Sequence, residues 1–138
     1  MAKFDNGEKK TFQYAFAVQP EDIDVLGHVN NVVYLRWVQD VAEAHWKTLA
    51  PVSVKEKYSW VVLRHEIDYL RAALPGDEIL GKTWVEDFEG VRSNRIVQLY
   101  KQHSGTLLAE AKTTWCLLDA VSMKPKRIEA DVVSVFAS

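Results

Sequence analysis

A long apolar helix near the N-terminus constrains the fold of this chain more than any other feature. The spacing of its apolar residues predicts a helix over about Val29–Leu49, which Pro51 is expected to end. Its charged residues form one narrow stripe: Arg36, Asp40, Glu43 and Lys47. A helix that is apolar over most of its circumference has to be buried on most sides. We therefore expect the rest of the chain to wrap around it.

Strand patterns lie on both sides of this helix in the sequence. The alternating segments are residues 11–19, 60–70, 78–87, 93–103 and 106–119. Short turns that contain glycine separate the later segments, so these strands are expected to be antiparallel. A last helical turn is expected within 127–136. This order predicts an α+β fold in which a curved antiparallel sheet of five to six strands wraps one long central helix.

Composition narrows the class of protein. A chain of 138 residues is expected to form one domain, with residues 1–10 as a flexible N-terminus. The net charge of −2 argues against a nucleic-acid partner, and the absence of a long uncharged apolar run argues against a membrane span. With no leader pattern and a single cysteine, Cys116, we expect a cytoplasmic protein without an internal disulfide. Aromatic residues on both faces of several strands suggest that a second copy covers part of the sheet.

The segment from Asp22 to Tyr34 carries most of the chemical information. It places Asp24 just before the N-terminus of the predicted helix, where free N–H groups and a partial positive charge can stabilise an oxyanion. A carboxylate there could orient or deprotonate a water molecule, or attack directly, and Gly27 would let a ligand approach closely. These features suit hydrolysis of an activated carbonyl. The alternative is that the polar residues only cap the helix.

The same segment resembles a known family. The pattern D-x-x-G-H-V-N-N-x-x-Y-L-x-W, which runs from Asp24 to Trp37, is similar to that of the 4-hydroxybenzoyl-CoA thioesterase family of the hotdog superfamily. The turn at Pro75-Gly76-Asp77-Glu78 and the order of elements support the resemblance, which extends over about residues 10–130. It implies a hotdog fold, a homodimer or a tetramer, and hydrolysis of acyl-CoA without a metal or redox cofactor.

The resemblance also implies roles for individual residues. The family's catalytic carboxylate falls on Asp24, and its oxyanion-binding amides fall on Val29, Asn30 and Asn31. His28 matches the histidine of the related plant acyl-carrier-protein thioesterases, whereas Leu26 stands where those proteins have an asparagine. An Asp-centred mechanism is therefore favoured, with Asp24 as general base or nucleophile. Gly27 and Tyr34 are expected to contact the substrate.

A second group of candidates lies at the start of a later strand. Arg92, Ser93 and Arg95 fall where the family often binds the nucleotide part of CoA, and arginine suits phosphate oxygens. The alternative is a solvated strand end. The segment from Lys124 to Arg127 forms another basic cluster with the same ambiguity. The four histidines do not have the spacing of metal ligands, so no metal site is predicted.

Other functions remain as alternatives. The chain could be an acyl-binding or acyl-CoA-binding protein without activity, although such a protein has no need for a carboxylate at Asp24. Its substrate could also be carried by acyl carrier protein instead of CoA. Hydratases of the superfamily use D-x-x-x-x-H, and the separation of Asp24 and His28 is one residue shorter. Thioesterases that take an acid from within the helix would have Asp40 or Glu43, both on its polar stripe.

Overall fold

The computed structural model describes residues 2–137, which form five strands, three α-helices and one turn of 3-10 helix at Pro20–Asp22. The strands are β1 (Phe12–Ala17), β2 (Tyr58–Tyr69), β3 (Glu78–Glu89), β4 (Arg92–Lys101) and β5 (Thr106–Asp119). The helices are α1 (Asn31–Leu49), α2 (Val52–Lys57) and α3 (Ala130–Ala137). The predicted order of elements is confirmed, except that α2 was not foreseen: Pro51 ends α1 and also caps the short helix that follows.

The strands form one antiparallel sheet in the order β1-β3-β4-β5-β2. Irregularities in register between Val62 and Arg64 of β2, and between Val85 and Asp87 of β3, mark bulges that bend and twist their strands. The curved antiparallel sheet predicted from the sequence is therefore confirmed. Strands β1 and β2 are its two edges, and neither has a partner on its outer side within residues 2–137.

Helix α1 lies on the concave face of this sheet. Its buried side chains, among them Trp37 and Val41, pack against Ile79 of β3 and Leu99 of β4. Gly81 of β3 permits the close approach, because a Cβ atom at that position would lie 2.5 Å from Cγ2 of Val41. The contact between α1 and β3 therefore depends on the absence of a side chain at residue 81.

The prediction that α1 is buried nearly all round is wrong for the single chain. The sheet covers one side of the helix, and the opposite side is open: Val32 is 70% and Leu49 38% exposed, in addition to the charged stripe of Arg36, Asp40 and Glu43 that the sequence predicts. The helix also begins at Asn31 instead of Val29, because Val29 forms a β-bridge with Ile23. Five strands cover only part of the circumference of a helix, so some apolar residues of α1 stay exposed in the single chain.

The N-terminal segment lies against the outer, convex face of the sheet. The amides of Lys3 and Phe4 donate to the carboxylate of buried Glu110 at 2.7 and 3.2 Å. Gln98 donates to the carbonyl of Phe4 and to the same carboxylate. Lys3 and Phe4 are thus held by specific hydrogen bonds, while the flexibility expected over residues 1–10 stays a prediction; Met1 lies outside the described residues. None of the helices within residues 2–137 has the length and apolar character needed to cross a membrane.

Candidate active site

The Asp24 carboxylate organises a tight turn immediately before α1. Its Oδ1 atom accepts hydrogen bonds from the amides of Leu26 at 2.9 Å and His28 at 3.3 Å. The amide of Asp24 donates to the carbonyl of His28 at 2.8 Å, and Gly27 has a φ of +80°, which favours glycine. The other carboxylate oxygen, Oδ2, has no hydrogen-bond partner among the described residues. Asp24 is therefore both a turn residue and a carboxylate with one oxygen free.

An ion pair between a buried aspartate and a half-exposed arginine anchors this turn to the helix. Asp22 is 1% exposed, and its carboxylate accepts from Nη2 of Arg36 at 2.8 Å and from the amide of Gln19 at 2.9 Å. The carbonyl of Asp22 accepts from the amide of Asn30 at 3.1 Å. Arg36 lies one and a half turns into α1, so these bonds fix the segment that carries Asp24 relative to the helix N-terminus.

Of the three amides expected to bind an oxyanion, two are occupied. The Val29 amide donates to the carbonyl of Ala73 at 3.0 Å, and the Asn30 amide donates to that of Asp22. The side chain of Asn30 caps α1 by accepting from the amide of Val32 at 3.0 Å. The Asn31 amide has no acceptor anywhere in residues 2–137. Among these three predicted oxyanion-binding amides, only that of Asn31 is therefore free to bind a substrate, because N–H groups that are already bonded are not available.

Asp24 and Asn31 line the same open cleft, whose volume is about 470 Å³. Its opposite wall is the segment from Tyr69 to Ala72. Buried Tyr34 connects the two walls, since its hydroxyl accepts from the amide of Ala73 at 2.7 Å and donates to the carbonyl of Arg71 at 3.3 Å. Burial raises the pKa of Tyr34, so its hydroxyl stays protonated at neutral pH. Tyr34 thus lines the cleft but is committed to holding its wall in place.

His28 lines the cleft without contacting the carboxylate through its side chain. The residue is exposed, and its imidazole has no hydrogen-bond partner in the part of the chain that is described. It is joined to Asp24 only through backbone groups. The structure therefore brings Asp24, Gly27, His28 and the start of α1 into one region, with no Asp–His hydrogen bond between side chains.

The structure separates the three residues expected near the nucleotide part of CoA. Arg92 is exposed, whereas Ser93 and Arg95 are buried on the inner face of the sheet beneath the C-terminal half of α1. Alternation along β4 places Arg92 on the other face from these two residues. Ser93 and Arg95 therefore cannot meet a phosphate at the surface, and that part of the prediction is wrong. The basic cluster from Lys124 to Arg127 is exposed and does not line the cleft.

One cationic residue of the cleft was missed in the sequence. Arg71 is exposed, lines the cleft opposite Asp24, and forms no ion pair within residues 2–137. It follows β2 by two residues and reaches the site through the hydrogen bonds of Tyr34 to residues 71 and 73. No local motif marks such a contact, because it joins parts of the chain about 40 residues apart.

The remaining candidates take structural positions. Cys116 is buried in β5, which confirms a packed thiol, and Asp40 and Glu43 are exposed as expected. His65 lies between the side chains of Gln39 and Thr113, at 3.2 and 2.9 Å. No group of three His, Cys, Asp or Glu residues is arranged to hold a metal ion among residues 2–137.

Comparison with known proteins identifies others of the same architecture. The family model described as the thioesterase-like superfamily matches residues 18–136. A search of curated proteins gave no match. Among solved structures, Slr0204 from Synechocystis, a 1,4-dihydroxy-2-naphthoyl-CoA thioesterase, superposes with a TM-score of 0.78 at 19% identity, covering 92% of this chain and 96% of that one.

Two further solved structures contain coenzyme A. A thioesterase from Thermus thermophilus, complexed with coenzyme A and Zn, has a TM-score of 0.80 at 23% identity, covering 91% of this chain and 97% of that one. The protein SAV2348 from Staphylococcus aureus, in complex with CoA, has a TM-score of 0.79 at 18% identity, covering 94% and 83%. At these identities the similarity establishes a shared fold.

Proposed function

Since the chain belongs to the thioesterase-like superfamily and is a thioester hydrolase of hotdog fold, we propose that it hydrolyses acyl-CoA to a carboxylic acid and free CoA. The observation that carries this proposal is the cleft before α1. It combines the free Oδ2 oxygen of Asp24 with the unoccupied amide of Asn31 at the N-terminus of a 19-residue helix.

Each of these two groups has a distinct task in the proposed reaction. The Asn31 N–H donates to the thioester carbonyl oxygen and stabilises the negative charge that develops there, aided by the partial positive charge of the helix N-terminus. As general base, Asp24 takes a proton from the water that attacks the carbonyl carbon. As nucleophile, it forms an acyl anhydride that water then hydrolyses. In both routes the C–S bond breaks and CoA leaves as a thiolate that takes up a proton. Neither route requires a metal or redox cofactor.

Single-turnover hydrolysis in water enriched in ¹⁸O separates the two routes. With enzyme in excess over acyl-CoA, a general base places solvent oxygen directly in the acid product. A nucleophile forms an anhydride, and water that attacks its Asp24 carbonyl carbon places an Asp24 oxygen in the first product and solvent oxygen in the carboxylate of the enzyme, whereas attack at the acyl carbon places solvent oxygen in the acid. Mass spectrometry that finds ¹⁸O in the peptide containing Asp24 after one turnover therefore identifies the nucleophilic route.

Arg71 is the side chain that we propose for contact with the phosphates of CoA, in place of Arg95. Coenzyme A in two structures of the same fold supports a CoA-binding cleft in this chain. Arg71→Met should raise KM and leave kcat nearly unchanged, because a phosphate contact is similar in the ground and transition states. Arg64→Met is the matched control, since Arg64 is exposed but does not line the cleft. An unchanged KM for Arg71→Met would show that the phosphates bind elsewhere.

A homodimer is part of the proposal, with tetramers as a further assembly. Edge strand β2 has exposed apolar side chains, including Val61 and Leu63, and Tyr69 at its end also lines the cleft. A second β2 pairing along this edge would satisfy its free backbone groups and cover these side chains. Light scattering after size exclusion should give a multiple of the 15.8 kDa chain mass. A monomer at micromolar concentration would contradict the assembly.

A panel of acyl-CoA substrates, assayed with a reagent that detects free thiols, tests the proposed reaction. Aliphatic chains of increasing length and aromatic acyl groups would show the preferred substrate, and the same acyl groups on acyl carrier protein would show the preferred carrier. Thiol release above the uncatalysed rate supports the proposal. Tight binding of acyl-CoA without thiol release would indicate a binding protein. We place this reaction in the cytoplasm, where acyl-CoA is available and Cys116 stays reduced.

A further inference from the structure

A second cavity lies under the C-terminal half of α1, away from the cleft. Its volume is about 70 Å³, and its wall is almost entirely apolar, with the rings of Trp46, Trp60, Trp115 and Phe136 around it. Glu43, which also lines this cavity, is 12 residues from Asn31 along α1, or about 18 Å at 1.5 Å per residue. The cavity is thus separate from the proposed catalytic cleft.

Arg95 lies at this cavity as a buried cation without a counter-ion. Its side chain is 4% exposed, and only Nη1 makes hydrogen bonds, to Nδ1 of His45 at 2.8 Å and Oγ1 of Thr83 at 3.0 Å. No carboxylate pairs with it within residues 2–137, and its Nε and Nη2 groups have no acceptor there. Burial lowers the pKa of Arg95 to about 9, so the group is still charged at neutral pH. The centroid of the Phe136 ring lies 5.2 Å from the guanidinium carbon and gives a cation–π contact, but no anion of residues 2–137 compensates this buried charge.

Two further donors near the cavity also lack acceptors. The indole nitrogens of Trp60 and Trp115 are buried and have no hydrogen-bond partner among the described residues. Trp84, by contrast, donates its indole N–H to Glu86 at 3.2 Å. The cavity therefore has a buried positive charge beside an apolar wall, with two indole N–H groups, unpartnered within residues 2–137, in the surrounding rings. The complementary ligand brings negative charge, acceptor oxygens and an apolar body.

We propose that this cavity binds an organic monocarboxylate with an unbranched aliphatic chain. The carboxylate would accept from Arg95, and the rings of Trp60 and Trp115 would contact the ligand from the cavity wall. A volume of about 70 Å³ corresponds to about five water-sized sites, enough for the carboxylate and a few carbons.

The charged side chains at the mouth of the cavity offset one another, so the buried charge of Arg95 determines which ligand the cavity attracts. Glu43 and Lys47 both line the cavity from α1 and are exposed, so their opposite charges are screened and offset one another. Carboxylic acids are also the product class of the proposed reaction. Binding at this cavity nevertheless requires no turnover, so it is tested without a thioester and stands or falls separately from the proposed function.

Titration with hexanoate tests this proposal, with hexanamide as the uncharged analogue of nearly the same size. Indole N–H signals in ¹⁵N-labelled protein report the position of the ligand. Hexanoate should shift the signals of Trp60 and Trp115 and leave that of Trp84 unchanged, while hexanamide should bind at least about tenfold more weakly. Equal affinity for both compounds, or shifts confined to residues of the cleft, would overturn the proposal. So would equivalent shifts with chloride alone.

Two arginines of β4, the buried Arg95 and the exposed Arg92, provide a matched pair of variants for the same titration. Arg95→Met removes the buried charge and keeps an apolar side chain of similar length, and it should weaken hexanoate binding at least about tenfold. Arg92→Met removes an exposed charge from the same strand and should leave binding unchanged. Wild-type affinity in Arg95→Met would overturn the proposal. If that variant does not fold, the comparison of hexanoate with hexanamide on the wild-type protein still decides.

Discussion

Acidification should destabilise this protein through one buried histidine, His45 of α1. The residue is 1% exposed, and its Nδ1 atom accepts from Arg95 at 2.8 Å. Its ring stacks on Phe12 at 4.8 Å and meets Phe136 edge-on at 5.0 Å between centroids. Burial, with a smaller contribution from the charge of Arg95, lowers the pKa of His45 from 6.5 to about 3. The fold therefore holds a neutral imidazole.

The size of the effect follows from that difference in pKa. As the pH falls below 6.5, the unfolded chain binds a proton at His45 and the folded chain does not, so the free energy of unfolding decreases. The stabilisation is complete above pH 6.5 and is lost between pH 6.5 and about 3, to a total of about 5 kcal/mol at 1.36 kcal/mol per pH unit. Somewhat more than half of it, about 3 kcal/mol, should be lost by pH 4.5.

Urea unfolding at several pH values between 7.5 and 4.5, at one protein concentration, measures this loss. His45→Asn keeps an acceptor oxygen near the position of Nδ1 but cannot be protonated. It should be less stable than the wild type at pH 7.5, because it loses ring packing, and the two stability curves should converge by about 3 kcal/mol at pH 4.5. His103→Gln, at an exposed turn, is the control and should follow the wild type. Parallel curves for wild type and His45→Asn would refute the reasoning.

Two further predictions concern contacts that fix α1. Gly81→Ala should destabilise the protein by about 1–3 kcal/mol, because its Cβ would meet Val41, and Val41→Ala in the same chain should recover part of that loss in thermal unfolding. Arg36→Met should cost about 1–2 kcal/mol in urea unfolding, since it leaves the buried carboxylate of Asp22 without its cation although Arg36 itself is half exposed. Arg64→Met, which breaks an exposed pair, should change stability by less than about 0.5 kcal/mol. Equal losses for the two arginine variants would contradict the anchoring role of Asp22.

Local patterns in the sequence were sufficient to predict most of the fold. Alternation identified all four strands after α1, and glycine-containing turns correctly indicated that these strands are antiparallel. The motif before α1 correctly placed Asp24 next to a helix N-terminus. This motif could be interpreted because its hydrogen bonds are local: the turn of Asp24 and the cap of Asn30 both join residues at most four apart.

Long-range contacts account for what the sequence did not reveal. The hydroxyl of Tyr34 ties α1 to a loop nearly 40 residues away in the sequence. As a result, the amide of Val29 donates to Ala73 and is not free for an oxyanion, and Arg71 lines the cleft. In the sequence, Arg95 resembles a surface contact for phosphate, because it is an arginine that follows polar residues. The alternation of β4 nevertheless places its side chain in the interior. A pattern of period two separates the faces of a strand, but it does not say which face is covered.

Comparison of wild-type protein with Asp24→Asn in the hydrolysis of acyl-CoA tests the central claim most directly. Asparagine keeps an oxygen that can accept from the amides of Leu26 and His28, so the turn should persist while the negative charge is lost. Asp68→Asn, an exposed change of the same kind on β2, is the control. The account predicts a folded Asp24→Asn protein that binds CoA normally and turns over at least about 100-fold more slowly than the wild type, with Asp68→Asn unaffected. A near wild-type kcat in Asp24→Asn would contradict it and leave Asp24 with the role of a turn residue alone.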